Sequence, residues 1–177
     1  MKLTPPYTAA EHAGTILKER GYAVVSPHGL SRLIGMEGVD DPLSPIAAHW
    51  NDLPADEHLR DGGRYRRRRH ASYVVQDGAL NEVPHRAHWQ PLDYNALHGG
   101  IERWFKPLAP ALVLDPLWPR LLVGLTHCAV ELRGSEGPWH IEAHAFRIDT
   151  TDGIGRPTPE GAHRDGVDLV AVILLGR

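Results

Sequence analysis

A mainly β or α+β fold in one domain is what this sequence predicts, and three observations carry the prediction. Fifteen prolines and 18 glycines in 177 residues impose many turns and loops. The segment 139–149 has strand character with polar and apolar side chains mixed on both faces, as in a barrel whose lumen holds a site. Apolar residues also recur at helical spacing in three other segments, which suits helices laid over a sheet.

Taken in order, Thr8 and Glu11 have the spacing of a capping box, and Ala13, Ile16 and Leu17 share one side of a helix over 9–20 that Gly21 ends. Residues 22–26 read as a short strand, and 29–36 as a second short helix with Leu30, Leu33 and Ile34 inward. The stretch 40–63 is rich in Pro, Asp and Asn, with Trp50 and Leu53 as anchors, and reads as a loop with one helical turn at most, placed to serve as a lid.

The run Arg64-Tyr65-Arg66-Arg67-Arg68-Arg69-His70 leads into a segment of strand propensity, 71–76. If the strand includes the arginines, Arg66, Arg68 and His70 share one face, while Tyr65, Arg67 and Arg69 share the other. Three readings stand for this run: a solvated edge strand that resists aggregation, a wall facing an anion, and a nucleic-acid patch. The last is disfavoured because Tyr65 is its only aromatic and the net charge is −3.

Residues 79–83 read as a hairpin partner, and 84–95 as an irregular connection. His85, His88 and His98 fit no regular metal-ligand spacing and read as exposed or hydrogen-bonded loop histidines. Leu121, Leu122, Leu125, Ala129 and Leu132 mark a core-packed helix over 117–132, begun after Pro116 and Pro119 and stopped by Gly134, with Cys128 as a small buried apolar residue. The strand over 139–149 puts His140, Glu142, His144, Phe146 and Ile148 on one face.

Bulk properties narrow the function classes. The length suits one domain with a sizeable core. The charge gives no general attraction to nucleic acid or anionic membrane. A single cysteine, no signal-peptide pattern and no apolar run of about 20 residues point to a soluble protein of the reducing cytoplasm.

The chemistry concentrates in 157–175. Pro157, Pro159 and Gly161 forbid regular structure before His163, and 167–175 is apolar and branched, the pattern of a strand covered on both faces. In an extended chain His163 and Asp165 point the same way while Arg164 points away. One imidazole and one carboxylate, joined by a second histidine from elsewhere, form the facial triad of non-haem Fe(II) oxygenases.

The run Pro-Glu-Gly-Ala-His-Arg-Asp-Gly entering an apolar strand, with the arginine run at 64–69 and Trp139-His140-Ile141-Glu142-Ala143-His144-Ala145-Phe146-Arg147-Ile148, resembles a group of 2-oxoglutarate-dependent Fe(II) dioxygenases. The group includes L-isoleucine 4-hydroxylase and BsmA-like proteins linked to biofilm and stress responses. The resemblance implies a double-stranded β-helix, the cupin-type jelly roll. Residues 1–60 would form its helical front and loop, and 64–177 the first part of the barrel, all one domain.

It further implies that His163 and Asp165 hold Fe(II), with the third histidine ligand and an arginine for 2-oxoglutarate downstream of Arg177. 2-Oxoglutarate and O2 would be co-substrates, ascorbate a reductant, and a free L-amino acid the compound hydroxylated. Arg66, Arg67 and Arg147 are candidates for its carboxylate and His144 for the pocket, while Glu160 and Arg164 would organise the loop around the ligands. Many relatives have Gln where this chain has Ala145. An unfinished barrel would expose an edge and an apolar face, so the 177 residues alone would be poorly stable unless another chain completes them, and a homo-oligomer stays open. The competing readings are a non-catalytic biofilm or stress-related binding protein on the same fold and a cupin metalloenzyme that uses no 2-oxoglutarate.

Overall fold

Strand β1 (Arg66–Gln76) is the middle of a three-stranded antiparallel sheet of order β2-β1-β3, with β2 at Ala79–Glu82 and β3 at Trp139–Ile148. The computed structural model describes residues 6–59, 64–94, 99–151, 153, 155 and 165–176. Helices α1 (Ala13–Arg20), α2 (Pro27–Leu33), α3 (Pro110–Val113) and α4 (Leu117–Arg133), with 3-10 turns at Ala10–His12 and Ser44–Trp50, complete the regular elements among them.

The β1–β2 turn is Asp77-Gly78, both at positive φ (53° and 73°), with Gln76 opposite Ala79. That is the two-residue hairpin whose twist matches its strands. Strand β3 pairs with β1 along ten residues, from Arg66 opposite Ile148 to Val75 opposite Trp139, which sets His70 across from His144 and Ser72 across from Glu142. On its other edge β1 meets β2 and then two irregular segments. Arg68 N–H donates to Pro54 O, His70 N–H to Lys106 O, and Val83 N–H to Ser72 O. A central strand needs such partners on both sides, because a buried unpaired amide costs about as much as a lost hydrogen bond.

Alternation along β1 sorts its residues between two environments. Ala71, Tyr73 and Val75 point to one face with Ala143 and Ala145 of β3, and this face packs on Leu112, Leu117, Trp118, Leu121 and Leu122. Trp118 Nε1–H donates to the buried Tyr73 hydroxyl at 3.0 Å, so the polar tip of each aromatic is satisfied inside the core. Arg66, Arg68, His70 and Ser72 point to the opposite face and are also buried. The arginine run is therefore not a solvated edge: half of it lies inside.

Helix α4 runs as its spacing predicts, to a C-cap at Gly134 (φ 66°). Ile34 and Leu33 of the preceding segment come so near it that a Cβ on Gly124 would lie 2.9 Å from Ile34 Cγ2 and from Leu33 O, a contact only glycine permits. Other expectations need correction. Helix α2 starts at Pro27 rather than 29, because Ser26 caps it through Gly29 N–H at 3.0 Å and proline suits a first helical position. Residues 22–26 form no strand; Val24 O accepts from Thr8 N–H but no ladder follows. The turn at Ala10–His12 is 3-10, and no side chain caps it. The 40–63 segment holds a longer turn, Ser44–Trp50, pinned by the buried Leu43, Ile46 and Leu53.

The largest departure is at 165–176, which carries no strand although its apolar run predicts one. Val172 is 90% exposed and Leu174 69%. Branched apolar residues favour a strand only when a neighbouring strand supplies hydrogen bonds and cover, and none does so among the described residues.

Arg66 and Asp56 meet at 2.6 Å with side-chain exposures of 5% and 0%. Removing one partner of such a pair strands a buried charge. Arg66→Met should lower the urea-unfolding free energy by about 3–5 kcal/mol, and Arg66→Met with Asp56→Asn should recover most of it. Equal losses in the single and double variants would show that the pair is not what the sheet depends on.

Candidate functional site

The polar face of the sheet gathers four groups that the sequence scatters. His70 comes from β1, Glu142 and His144 from β3, and His88 from the connection after β2. Each offers a nitrogen or oxygen, and these atoms all lie within 4.8 Å of one another. His88 Nδ1 is 2.5 Å from Glu142 Oε2, His144 Nε2 is 3.8 Å from the same oxygen, and His70 Nε2 is 3.9 Å from Oε1. The His70 and His144 rings stack at 4.7 Å, as expected for residues opposite one another on paired strands, and His88 stands edge-on to His144.

Hydrogen bonds settle one tautomer. Arg68 Nη2 lies 2.7 Å from His144 Nδ1, and a guanidinium can only donate, so that nitrogen is the acceptor. The neutral ring then carries its proton on Nε2, facing Glu142. In this arrangement the His144 Nε2–H faces the carboxylate at 3.8 Å and His88 Nδ1–H donates to it, leaving His70 and Glu142 as the members of the cluster with a lone pair to offer a metal.

Electrostatics agrees with a neutral pair of imidazoles around an ionised carboxylate. Burial pulls the His70 pKa down to about 4, and burial plus the Arg68 charge holds that of His144 well below its ordinary value. Burial alone would raise the Glu142 pKa, but the N–H groups of His144 and His88 outweigh it and hold the carboxyl below its ordinary range. Phe105, 5% exposed, closes over the cluster with ring contacts to both His70 and His88.

The segment bearing His88 also reaches the motif aspartate. His88 and Arg103 exchange two backbone hydrogen bonds of 3.0 Å, which makes 88–90 extended and turns Gln90 the same way as His88. Gln90 Nε2 donates to Asp165 Oδ1 at 3.0 Å, and Arg103 Nη2 donates to Gln90 Oε1 at 2.8 Å. Asp165 is thus positioned by an amide that a buried arginine orients, the support that metal-binding carboxylates receive. Next to it Gly166 (φ 69°) lies so close to Tyr94 that a Cβ would be 2.6 Å from the ring.

The other sequence candidates are spread out. His163, Glu160 and Arg164 lie outside the described residues, as does His98. His144 is in the cluster. Arg66 is on the same face, joined to Asp56. Arg67 and Arg147 sit opposite each other and donate to the carbonyls of Leu53 and Asn51, at 3.3 and 3.2 Å. His140 is exposed near the far end of β3 and His85 is exposed beside Trp104. His88, read as an exposed or hydrogen-bonded loop histidine, is the hydrogen-bonded kind: it bonds Glu142, is 6% exposed and stands in the cluster. Its spacing from the others carries no signal; the alternation of Glu142 and His144 opposite an inward His70 is the pattern that could have revealed the cluster. Ala145 is a core residue, 3% exposed on the helix-covered face.

Residues 47–177 match the family model described as 2OG-Fe dioxygenase, and the chain belongs to that family. A crystal structure of a bsmA homolog from Methylobium petroleophilum PM1 is similar at 47% identity and a TM-score of 0.82, over 92% of this chain and 65% of that one. The chain therefore spans just under two thirds of that relative. The crystal structure of IDO from Bacillus thuringiensis shares the fold at a TM-score of 0.63 and 15% identity, over 89% of this chain and 66% of that chain. No curated protein matches. No helix among the described residues is long and apolar enough to cross a membrane.

Both His70 and His144 have folded-state pKa values below that of a free imidazole, about 6.5. The unfolded chain therefore binds more protons below that pH, and stability falls as the solution is acidified from pH 7 toward 4. Each histidine contributes a slope of up to about 1.4 kcal/mol per pH unit. Glu142, lowered in the folded state, adds a further loss below about pH 4.5. Urea unfolding at pH 7, 6 and 5 should show the decline, and His70→Gln should flatten it; an unchanged slope would mean that His70 is not buried neutral.

Proposed function

We propose that the protein is an Fe(II)- and 2-oxoglutarate-dependent dioxygenase that hydroxylates a free L-amino acid, with His163 and Asp165 as two of its iron ligands and a histidine downstream of Asp165 as the third. The observation that supports this most is the Arg103–Gln90–Asp165 relay beside the buried His/Glu face, in a chain that belongs to the 2OG-Fe dioxygenase family. One imidazole and one carboxylate suit Fe(II), and a carboxylate held by a donated hydrogen bond fits a ligand role.

In this reading the antiparallel sheet is the first part of a double-stranded β-helix spanning 64–177, within a single domain that includes the helical front at 1–60. The polar face of β1 and β3 is the wall of its lumen. Fe(II) with 2-oxoglutarate and O2 would supply oxidation of a C–H bond coupled to oxidative decarboxylation of the oxoacid. The chain's residues then have distinct tasks. Gln90 keeps Asp165 oriented, and Glu160 and Arg164 order the loop that brings His163 beside it. Phe105 excludes water from the wall. His88 and His144 hold their protons toward the Glu142 carboxylate, so that the wall presents fixed donors and acceptors to a substrate. Arg66 stabilises the wall through Asp56, and Arg67 and Arg147 tie the strands to the 51–53 segment. The buried Cys128 suits the reducing cytoplasm.

The test uses the full-length protein with Fe(II), 2-oxoglutarate, ascorbate and a pool of amino acids, following succinate and products heavier by one oxygen by mass spectrometry. Succinate with a hydroxylated amino acid should appear and fall at least 100-fold in His163→Ala and Asp165→Ala. Iron binding without succinate would sink the dioxygenase reading in favour of a binding protein or another cupin chemistry. Gln90→Ala should slow succinate formation about tenfold while leaving the fold intact by circular dichroism.

A further inference from the structure

Two guanidiniums are buried on the polar face of β1, and they are treated differently. Arg66 has Asp56 at 2.6 Å. Among the described residues no carboxylate lies within ion-pair distance of Arg68, 5% exposed, and its one hydrogen bond there goes to the neutral His144 ring. Among the described residues its Nε has no acceptor, and Arg66 Nη2 on the same face has none either. A buried cation and unpaired donors each cost free energy unless something compensates them.

The side chain is nonetheless well fixed. Its guanidinium carbon lies 3.9 Å from the centroid of Phe105 and 4.5 Å from that of Phe146. These rings hold the cation and leave its donors to bond within the guanidinium plane, but they supply no acceptor. The carboxylates that could have neutralised it are engaged elsewhere: Asp56 with Arg66 and the His58 N–H, Glu142 with the histidines. Burial and the nearby Arg66 bring the Arg68 pKa down to about 9, so it stays charged at neutral pH. A recess lined by His58, Arg68, Trp104, Phe105 and Lys106, with the exposed Glu57 also on its wall, leads to this side chain. Lys106 adds a second, exposed cation there.

We propose that Arg68 is the binding residue for the carboxylate of a small organic acid, which enters the recess and takes the donors that no group among the described residues accepts from. The match is chemical: a planar fork of N–H donors, desolvated and preorganised, is complementary to a carboxylate and to little else of that size. The inference rests on the dioxygenase reading for which acids are present. A free amino acid and 2-oxoglutarate are the two sources of that carboxylate, and Arg68 takes the place that Arg66 and Arg67 are barred from by their own partners.

Binding without turnover tests this independently of catalysis. The melting temperature of the full-length protein is measured with 2-oxoglutarate and with each free L-amino acid against the corresponding amide. A carboxylic acid should stabilise the wild type, its amide should not, and Arg68→Gln should abolish the difference. Arg68→Lys keeps the buried charge but not the fork and carries the test if the glutamine variant does not fold; its affinity should drop about tenfold. In the turnover assay the co-substrate whose KM rises 10- to 100-fold in these variants identifies the acid at Arg68, the other KM staying level. Stabilisation that does not distinguish acid from amide, or that survives in both variants, would overturn the assignment. Absence of succinate from the wild type with acid-specific, Arg68-dependent stabilisation intact would refute the dioxygenase reading and leave the carboxylate site standing.

Discussion

The buried contact between Arg66 and Asp56 is what allows a run of arginines to enter the protein at all. Removing a guanidinium from water is costly unless a partner offsets it, and the 54–56 segment provides Arg66 with one while also bonding the backbone of β1 through Pro54 O and Asp56 N–H. That junction fixes which way β1 faces. A slip of one residue would turn Arg67 and Arg69 inward and send Tyr73 and Val75 away from Trp118. The helix-packed core and the polar wall are thus two results of one register.

The polar wall itself is organised by competition for carboxylates. Among the described residues of this face there are more buried donors than acids to receive them, and each acid has been committed. Asp56 serves Arg66, Glu142 serves two imidazoles, and Asp165 is held by Gln90. What remains is an excess of positive character around Arg68, between two aromatic rings. Electrostatic preorganisation of this kind is assembled at folding, so a bound anion would not have to reorganise it.

Much of the local structure was legible in the sequence because it depends on local rules. The α4 stripe from Leu121 to Ala129, its stop at Gly134 and the alternation of Arg66, Arg68 and His70 follow from the periods of helix and strand. The motif at 163–165 is read in the sequence as a metal clamp, and of its two ligand candidates only Asp165 lies among the described residues. What could not be read was pairing. Nothing in the order of residues says that His70 lies across from His144, or that His88, 54 residues from Glu142, comes to 2.5 Å of it. Nor does a count of arginines reveal which has an acid: Arg66 and Arg68 look alike in sequence and differ only because Asp56 arrives beside one of them. The run at 167–175 shows the reverse limit, since its apolar, branched composition predicts a strand and the structure forms none there.

Gly166 follows the motif aspartate in a left-handed conformation with the ring of Tyr94 against its α-carbon. Tyr94 belongs to the same connection as Gln90, four residues on, and Gln90 holds Asp165. The two positions are therefore sterically coupled. A lineage that acquires a side chain at 166 has to shrink residue 94 in the same interval or accept a displaced Gln90, so substitutions at 94 and 166 should arrive in pairs across related sequences. A position that looks like a simple turn glycine is a point where the history of the connection and that of the motif are joined.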